Sequence, residues 1–492
     1  MIKNKQTLFD YVYSDLCGQI KIGRLSYGDK LPSISQLCEL YHVGIRTVKD
    51  VLSALRKDGY IRTEERKAAT VIYNRDNMDR HFAVQSVLRQ KTAIIQTYET
   101  MALILPPIFA LSALVCSDEK MQEWAPSFKN FDSKAPEKRK KIMMSLLCFL
   151  LDNSGNLLFR ELFSKYELFA RIPLFQDEPK FESLVTSYNE FKSLTWIADA
   201  LLQKNSELIF HRFSVMYEAI VHSAKVLIRD LAKKYPNLPE DETMDFAWNT
   251  YIGRNQLYTQ VARDLIDKIG TGFYKEDTFL PPESQLAEEY GVCVSTIRNA
   301  LAMLNKIGFA KTYNVKGTKV IWQEEQLVIK CLKNKVLRRD ALLYLSALQL
   351  TAVIIRPAVM LSAARITDRE ISELKKQLAD PSCIPLDAIV RCIKEHQLLK
   401  PMKTVLEEAG ALNIWGYYYS FYSNGPMEDE ILTKKCAEAF QYLCEGNALR
   451  LACCLSSCYR HILEFVRDYL LSCGLSEASA LILPAGLYFP AD

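Results

Sequence analysis

The chain has 492 residues, of which 49% are hydrophobic and 24% are charged, a globular composition that excludes an intrinsically disordered protein. This length exceeds what one hydrophobic core usually supports, so we expect two to four domains. The net charge of +4 is too small to indicate a polyanionic partner by itself, so any nucleic-acid signal has to be local.

Residues 1–75 predict three helices followed by a two-stranded wing. The first helix has an apolar face at intervals of four residues, formed by Leu8, Val12, Leu16 and Ile20. A second helix is expected to begin after Pro32, where a serine can cap its first turn. A tight turn at residues 42–44 then leads into a third helix, from about residue 45 to residue 57. Two short strands, near residues 60–62 and 69–72, enclose a charged tip.

The third helix turns a polar face outward when its apolar residues are buried. The spacing predicts a buried face made by Val48, Val51, Leu52 and Leu55. The opposite face then exposes Arg46, Lys49, Asp50 and Ser53 toward a major groove, and Arg66 and Lys67 of the wing would reach the backbone or the minor groove. Ser33, Ser35 and Thr47 are also predicted to belong to this DNA interface. Thirteen Lys and Arg against eight Asp and Glu give residues 1–75 a charge of +5, so the basic excess lies where DNA would bind.

Residues 80–245 show long apolar-periodic runs and few strand signals, which predict an all-helical bundle. Residues 101–116 are the best candidate for a membrane span, but they are too few and include two adjacent prolines, so we expect a buried core helix. Pro107 is expected to bend or break that helix. Such a kink can line an apolar ligand pocket, or it can simply shape the bundle.

The sequence repeats itself at an offset of 249 residues. Leu8 aligns with Leu257, Thr47 with Thr296, and no gap is needed over the first seventy-odd residues. Residues 250–325 are therefore a second small module. After a one-residue shift the match continues weakly, because a Leu-Ser-Ala triplet follows both Pro107 and Pro357 by four residues. A repeat this long, present twice, indicates a fused pair of domains rather than a solenoid.

Residues 328–492 predict a second all-helical bundle. Arg356 lies in the middle of its most apolar stretch, which argues against a membrane span. Cys454, Cys458 and His461 fall on one helix face, where they could bind one soft metal or act as a redox pair, although small apolar packing is the favoured interpretation. The fourteen cysteines are irregularly spaced and follow no signal peptide, which favours a reducing cytoplasm.

Four motifs of the second module occur in a characteristic order. They are LYTQVA at residues 257–262, LPPESQLA at 280–287, GVCVSTIR at 291–298 and KGTKV at 316–320. This stretch resembles the GntR family of bacterial regulators, and residues 1–75 resemble a more diverged copy. The resemblance implies a dimeric repressor or activator, with a winged helix-turn-helix domain followed by an effector-binding domain.

The resemblance also implies which residues contact DNA. The three arginines of the family pattern correspond to Ser35, Ile45 and Lys49 in the first copy and to Ser284, Val294 and Arg298 in the second. Only the last basic position is kept in both, so specificity is altered or affinity is weakened. The predicted interface of the second module consists of Glu283, Ser284, Ser295, Thr296, Arg298, Asn299, Lys316, Gly317 and Thr318. Nine Lys and Arg balance nine Asp and Glu over residues 251–325, so this module is neutral.

No catalytic or metal-binding constellation is visible in the sequence. It has no phosphate-cradling glycine loop, no helical zinc pair and no nucleophile elbow, so we predict neither an enzyme nor a cofactor. The metal-linked subtype of GntR effector domain would need three converging histidines, which neither helical segment offers. His211 and His222 share a helix face and are expected to be structural.

The sequence therefore predicts a mainly α protein in which two winged helix-turn-helix domains, at residues 1–75 and 250–325, alternate with two all-helical bundles, at 80–245 and 328–492. We expect a cytoplasmic transcription regulator that binds double-stranded DNA and an unknown small-molecule effector. The covalent repeat would act as a pseudo-dimer on an imperfect palindrome, with further homodimerisation left open. The alternative is a degenerate winged-helix scaffold that binds proteins without reading DNA sequence.

Overall fold

The computed structural model describes the chain in stretches that cover most of both halves. These are residues 8–21, 25, 27–41, 43–64, 68–73, 80–170, 179–241, 245–248, 250, 257–270, 272–321, 329, 332–380, 383–413 and 430–484. Within them, nearly all regular structure is helical, and the strands form two antiparallel hairpins. The predicted mainly α fold class is confirmed.

The first winged helix, called module 1 below, has three helices and a hairpin that enclose a small core. Its elements are α1 (Leu8–Lys21), α2 (Ile34–Tyr41), α3 (Ile45–Lys57), β1 (Ile61–Arg62) and β2 (Thr70–Val71). The apolar side chains of these elements form a hydrophobic cluster of their own, separate from the rest of the chain. Lys30 adds an isolated bridge to Thr70 at the edge of the hairpin.

The second winged helix, module 2, repeats this frame. Its elements are α13 (Leu257–Gly270), α14 (Glu283–Tyr290), α15 (Val294–Ile307), β3 (Ala310–Tyr313) and β4 (Gly317–Val320). Helices α4 to α12 lie between the two modules in the chain, and their bounds are given in the next paragraph. The first two helices lie 249 positions after their counterparts, as does the bridge of Phe279 to Lys319. One polar contact recurs as well: Tyr41 donates to Asp15 at 2.5 Å, and Tyr290 donates to Asp264.

The first helical segment follows module 1 and is built on two long helices. Its elements are α4 (Arg80–Arg89), α5 (Lys91–Val115), α6 (Asp118–Gln122), α7 (Ala125–Phe128), α8 (Pro136–Asp152), α9 (Phe159–Ala170), α10 (Pro179–Tyr188), α11 (Leu194–Gln203) and α12 (Ser206–Lys234). Helices α5 and α12 pack along each other, and α8 and α9 cover another side of α5.

The second helical segment follows module 2 and also has a long central helix. Its elements are α16 (Lys335–Ser362), α17 (Asp368–Leu378), α18 (Pro385–Glu395), α19 (Lys400–Asn413), α20 (Glu430–Cys444) and α21 (Ala448–Ser472), with short 3-10 turns at 363–365 and 476–480. Helix α16 packs against α21 and α19, and α20 packs against α21. Helices α5 and α16 contact each other, so the two segments share one continuous core.

Helices α5 and α16 are both long and apolar enough to cross a membrane. About 67% of the apolar window of α5 and 89% of that of α16 are buried within the protein. Buried hydroxyls along them donate to the carbonyl four residues earlier, as Ser112 does to Ile108 and Ser362 to Ala358, both at 2.8 Å. These observations fit core helices of a soluble bundle.

The prolines do not break these helices, although the sequence favoured a bend or a break. Helix α5 continues through Pro106 and Pro107, and α16 continues through Pro357, all of them buried. A proline removes one helical hydrogen bond and frees the carbonyl four residues earlier. The carbonyl that Pro357 frees in α16 is that of Val353. At the adjacent Ala352, the carbonyl accepts a hydrogen bond of 2.7 Å from the hydroxyl of Ser456 on α21, so a partner helix supports the chain there.

A buried polar network joins the two helical segments. The amide of Asn156, just before α9, donates to Ser346 O at 2.9 Å and to Gln349 Oε1 at 2.8 Å, both in α16. Gln349 in turn donates to Ile482 O. Gly155 has φ +75, and a Cβ there would lie 2.5 Å from Cβ of Ala480, so only glycine fits this contact.

The segment between the halves contacts both helical segments. The indole of Trp248 donates to Glu161 in α9 at 3.0 Å, and the backbone N–H of Thr250 donates to Glu408 in α19 at 2.8 Å. These contacts tie the start of the second half to both helical segments.

Module 2 is anchored to the helical body by a buried ion pair. Arg263 of α13 donates to Asp340 of α16 through Nε at 2.8 Å and through Nη2 at 2.7 Å, and both side chains are less than 10% exposed. At the positions 249 residues earlier the chain has Ser14 and Lys91, so module 1 lacks this pair. Module 1 docks instead through α1 on α9, where Gly18 closely approaches Leu168 and Lys165 lies over the Tyr11 ring.

We expect Asp340→Asn to lower the free energy of unfolding by about 3–5 kcal/mol, because the change leaves the buried Arg263 guanidinium without its counter-charge. Urea unfolding followed by circular dichroism measures this. The control is Arg369→Ala, which removes a solvent-exposed i, i+4 ion pair with Glu373 and should leave the unfolding midpoint unchanged. Equal effects of the two changes would contradict the anchoring role of the buried pair.

Candidate nucleic-acid interface

The outer face of α3 in module 1 is set by its apolar face. Val48, Val51 and Leu55 are buried against α1 and α2. Since successive helical positions turn by about 100°, this burial places Arg46 and Lys49 on the exposed side, together with Asp50 and Ser53. Thr47 is half-buried. The predicted buried face is therefore present, except that Leu52 is only partly covered.

Helix α15 of module 2 presents the corresponding surface. Its buried face includes Ile297, Leu301 and Leu304, and its exposed face includes Arg298 and Asn299. The C-terminus of the helix is Gly308 at φ +91, a left-handed conformation that glycine adopts without strain. The equivalent Gly59 follows α3 at φ +77, and in both modules the glycine directs the chain into the wing.

The basic position shared by the two helices has a different environment in each module. Arg298 donates through Nε to Glu283 Oε2 at 2.7 Å, and both side chains remain largely exposed. The position equivalent to Glu283 in module 1 is Ile34, which cannot accept a hydrogen bond. Among the described residues, Lys49 has no ion pair. Module 2 therefore presents a guanidinium that is oriented by an ion pair, and module 1 presents an unconstrained ammonium.

The predicted residues on the second helices have separate roles. Ser33 caps α2: its hydroxyl accepts from Gln36 N at 3.3 Å, and its N–H donates to Gln36 Oε1 at 2.9 Å, which is the geometry of a capping box. Ser35 and Ser284, which replace the first arginine of the family pattern, are both exposed. Their short hydroxyls reach less far from the surface than arginine would.

The N-terminus of α15 contains an exposed thiol that the sequence did not single out. Cys293 is the N-cap residue, and its Sγ lies 3.1 Å from the hydroxyls of Ser295 and Thr296. Hydrogen bonds from these hydroxyls, and from the Thr296 backbone, lower the pKa of Cys293 to about 7. Ser295 and Thr296 were predicted to contact DNA, and here their hydroxyls bond the thiol. The counterpart in module 1 is Gly44.

The wings account for the remaining predicted residues. Arg66 and Lys67 lie outside the described residues. In module 2, Lys316 and Gly317 are exposed at the turn of the hairpin, whereas Thr318 is buried with its hydroxyl 2.9 Å from that of Thr312. Any contact of Thr318 with DNA would therefore use its backbone rather than its side chain.

Module 2 exposes two phenylalanines and a valine, and sequence reasoning missed them. Phe273 is 71% exposed, Phe279 is 48% exposed, and Val315 at the tip of the wing is fully exposed. At an offset of 249 the same positions in module 1 are Arg24, Lys30 and Arg66. Comparing the two copies position by position would have found this difference. Module 2 thus has exposed apolar residues at positions where module 1 has basic residues.

The candidate residues of the helical segments do not form an open site: the two prolines are buried, and the two exposed histidines have local partners. Pro107 and Pro357 are both buried. His211 accepts or donates a hydrogen bond with Glu190 at 2.7 Å, and the ring of His222 stacks on Tyr188 with centroids 4.1 Å apart. Over the part of the chain that the structure describes, no group of three His, Cys, Asp or Glu residues is arranged to hold a metal ion.

We expect the alkylation rate of Cys293 by iodoacetamide to rise through a midpoint near pH 7, because the thiolate is the reacting species. Peptide mass spectrometry after short exposures at pH 5.5 to 9.5 measures the rate at this residue. Thr296→Val removes one hydroxyl at nearly constant volume and should move the midpoint to higher pH. A midpoint that does not differ between the two proteins would show that the hydroxyl does not stabilise the thiolate.

Comparison with curated proteins and with solved structures finds only weak similarities. No curated protein matches the chain. Three solved structures are similar to part of it, the first being E. coli McbR/YncC, at 16% identity and a TM-score of 0.23. The second is a structure of Lar, which "controls the expression of the Listeria monocytogenes agr system and mediates virulence", at 16% identity and a TM-score of 0.20. The third is Streptococcus agalactiae GntR, at 23% identity and a TM-score of 0.18. They cover 44%, 44% and 43% of this chain and 99%, 98% and 99% of their own, respectively. With such low scores, these similarities carry no argument about function.

Comparison with protein-family models gives a clearer result, because one family model matches each module separately. The model of the gntR family of bacterial regulatory proteins matches residues 8–71 and again residues 257–320. Both matches begin at the first residue of the first helix and end in the second strand of the wing. Residues 8–71 and 257–320 are therefore two winged helix-turn-helix domains of the gntR type.

Proposed function

We propose that this protein is a cytoplasmic transcription regulator that binds double-stranded DNA through both winged helices. The observation that carries the proposal is the repeated placement of one exposed basic side chain, Lys49 or Arg298, at the same position of two recognition helices. Residues near the start of such a helix meet base edges when it enters the major groove. The family of both modules supports the same function.

The two modules would read their half-sites differently. Glu283 holds Arg298 through Nε, which leaves the terminal guanidinium nitrogens for a base edge, and arginine most often pairs with guanine in this way. Module 1 is more basic and carries an unconstrained lysine, which suits phosphate contacts and adds affinity without selectivity. We therefore infer an asymmetric operator in which the half-site of module 2 is the more strictly specified.

The covalent repeat would act as a pseudo-dimer on an imperfect palindrome. The two helical segments form one core through α5 and α16, and each module docks on that body by its first helix. A shared body fixes the spacing of the recognition helices, and tethering raises the effective concentration of the second module. Further homodimerisation would be an addition to this arrangement, not a requirement.

Control by a small-molecule effector would act through the helical segments. Helix α16 contains both the buried Pro357 and Asp340, the anchor of module 2. An effector that changed the packing around α16, or around Pro107 in α5, would change how module 2 is held relative to module 1. A change in module spacing is sufficient to alter affinity for an operator.

A second candidate function is favoured by the exposed apolar residues of module 2. Exposed Phe273, Phe279 and Val315 are unusual for a DNA-facing surface and typical of protein contacts. In this alternative the protein is a scaffold whose winged helices have lost sequence-specific DNA binding, in agreement with the arginines missing from both copies.

A random-sequence selection with the full-length chain separates the two functions. For the regulator, we expect enrichment of one asymmetric motif with two unequal half-sites. The scaffold predicts that no motif is enriched after repeated rounds. Sequencing of the bound pool before and after selection gives the measurement.

On the selected operator, we expect Arg298→Ala to weaken binding about 5- to 150-fold and to relax selectivity at one base pair. Lys49→Ala should weaken binding on all sequences alike and reduce its salt dependence. Fluorescence anisotropy at several salt concentrations measures both effects. The matched controls are Lys306→Ala and Lys57→Ala, equivalent exposed lysines at the far ends of the same helices, and they should change affinity less. Affinity unaltered by either test variant would exclude these residues as readers.

A further inference from the structure

A run of basic residues begins helix α8 in the first helical segment. Residues 134–141 hold five Lys and Arg against one Glu, a charge of +4, which equals the net charge of the whole chain. Lys138 and Lys141 are three positions apart, so they share one side of the helix, and both are exposed. Among the described residues, Lys138 has no ion pair. These two lysines are called the α8 basic face below.

The α8 basic face lies beside module 1. Lys141 Nζ is 3.2 Å from Asp29 Oδ2, and 58% of the Lys141 side chain remains exposed. Asp29 belongs to the segment that leads along the wing into α2, because Leu31 N donates to Ala69 O at 2.8 Å and Ser33 caps the helix. Ser33 follows Asp29 by four positions, which span at most about 14 Å of chain. The α8 basic face is therefore next to the part of module 1 that is predicted to contact DNA.

The stability of α8 does not account for its basic start. The N-terminus of a helix carries partial positive charge, so Lys138 and Arg139 are unfavourable near the first turn. The residue before the helix, Ala135, makes no side-chain cap to its free N–H groups. Arg139 forms an ion pair with Glu182 at 3.6 Å, which offsets only part of this cost. Negative charge from a partner would be favourable for both the lysines and the helix.

The fold does not require these lysines either, as the second half of the chain shows. Helix α18 begins with a proline 249 positions after the one that begins α8, and both helices pack on the long central helix of their half. The residues of α18 that correspond to Lys138 and Lys141 are Asp387 and the buried Val390. The repeated helix thus forms without the basic residues, which occur in the half whose winged helix is basic.

We propose that the α8 basic face binds the phosphate backbone of the duplex that flanks the half-site of module 1. Lysine is a compact, flexible point charge, which suits phosphate oxygens. The exposed pair of Lys141 with Asp29 contributes little stability, so Lys141 can exchange the carboxylate for a phosphate. The contact lengthens the DNA footprint and adds affinity that depends on salt but not on sequence. Its placement beside a half-site rests on the proposed function, whereas its binding to duplex DNA of any sequence does not.

The first test measures the salt dependence of binding to a fluorescein-labelled duplex of mixed sequence, about 30 base pairs long, by fluorescence anisotropy of the full-length protein. Lys138→Gln/Lys141→Gln should reduce the slope of log affinity against log salt by about 2, because each phosphate contact contributes about 0.9. The matched control is Lys375→Gln/Lys376→Gln, which removes the same charge from exposed positions of α17 and should keep the wild-type slope. Both variants should keep the wild-type Tm, since glutamine is a good helix former. A slope that is unchanged in the α8 variant, or reduced equally in both, would overturn the proposal.

The second test locates the contact with the wild-type protein and the selected operator. One added helical turn of duplex, about 10 base pairs, beyond the half-site of module 1 should tighten binding several-fold at low salt, and the same addition beyond module 2 should not. Wild-type affinity that does not respond to the first addition would overturn the proposal. A selection that enriches no motif would contradict the proposed function instead, and the mixed-sequence duplex would still test the α8 basic face. Binding to vesicles of phosphatidylcholine and phosphatidylserine that the α8 variant loses, with unaltered DNA binding, would overturn the proposal in favour of an anionic membrane.

Discussion

The buried ion pair of Arg263 and Asp340 is the contact on which the asymmetry of this protein depends. Two charges removed from water are stable together because each satisfies the other through two short hydrogen bonds, and removing one leaves the other buried without compensation. The pair fixes module 2 on the central helix of the second half. Module 1 has no equivalent and keeps a separate core, so the two winged helices are held by different kinds of contact.

The same frame therefore serves two copies with different surfaces. Both modules keep the lengths of the first two helices, the wing register and the Tyr–Asp contact between those two helices. Their exposed residues have diverged: module 1 is basic, whereas module 2 pairs Arg298 with Glu283 and exposes Phe273, Phe279 and Val315. A fused repeat permits this divergence, because each copy occupies one fixed place in the chain, whereas the identical subunits of a homodimer change together.

The sequence by itself determined the duplication, the helix-turn-helix order and the inward faces of the recognition helices. These features depend on local periodicity and on glycine at helix ends, which neighbouring residues specify without help from distant ones. Val48, Val51 and Leu55 are buried where their spacing placed them, and Gly59 and Gly308 end their helices. The same reasoning expected a bend or a break at Pro107 and Pro357, and no break occurs, since both helices continue through the buried prolines.

Only the tertiary structure decided the contacts between residues far apart in the chain. Arg263 and Asp340 are 77 positions apart, Asn156 and Gln349 are 193 apart, and no local pattern relates either pair. The partner of Arg298 likewise depends on how α14 and α15 pack. Periodicity determines which face of a helix is buried. The residues that pack against this face are selected by shape and charge across the whole folded chain.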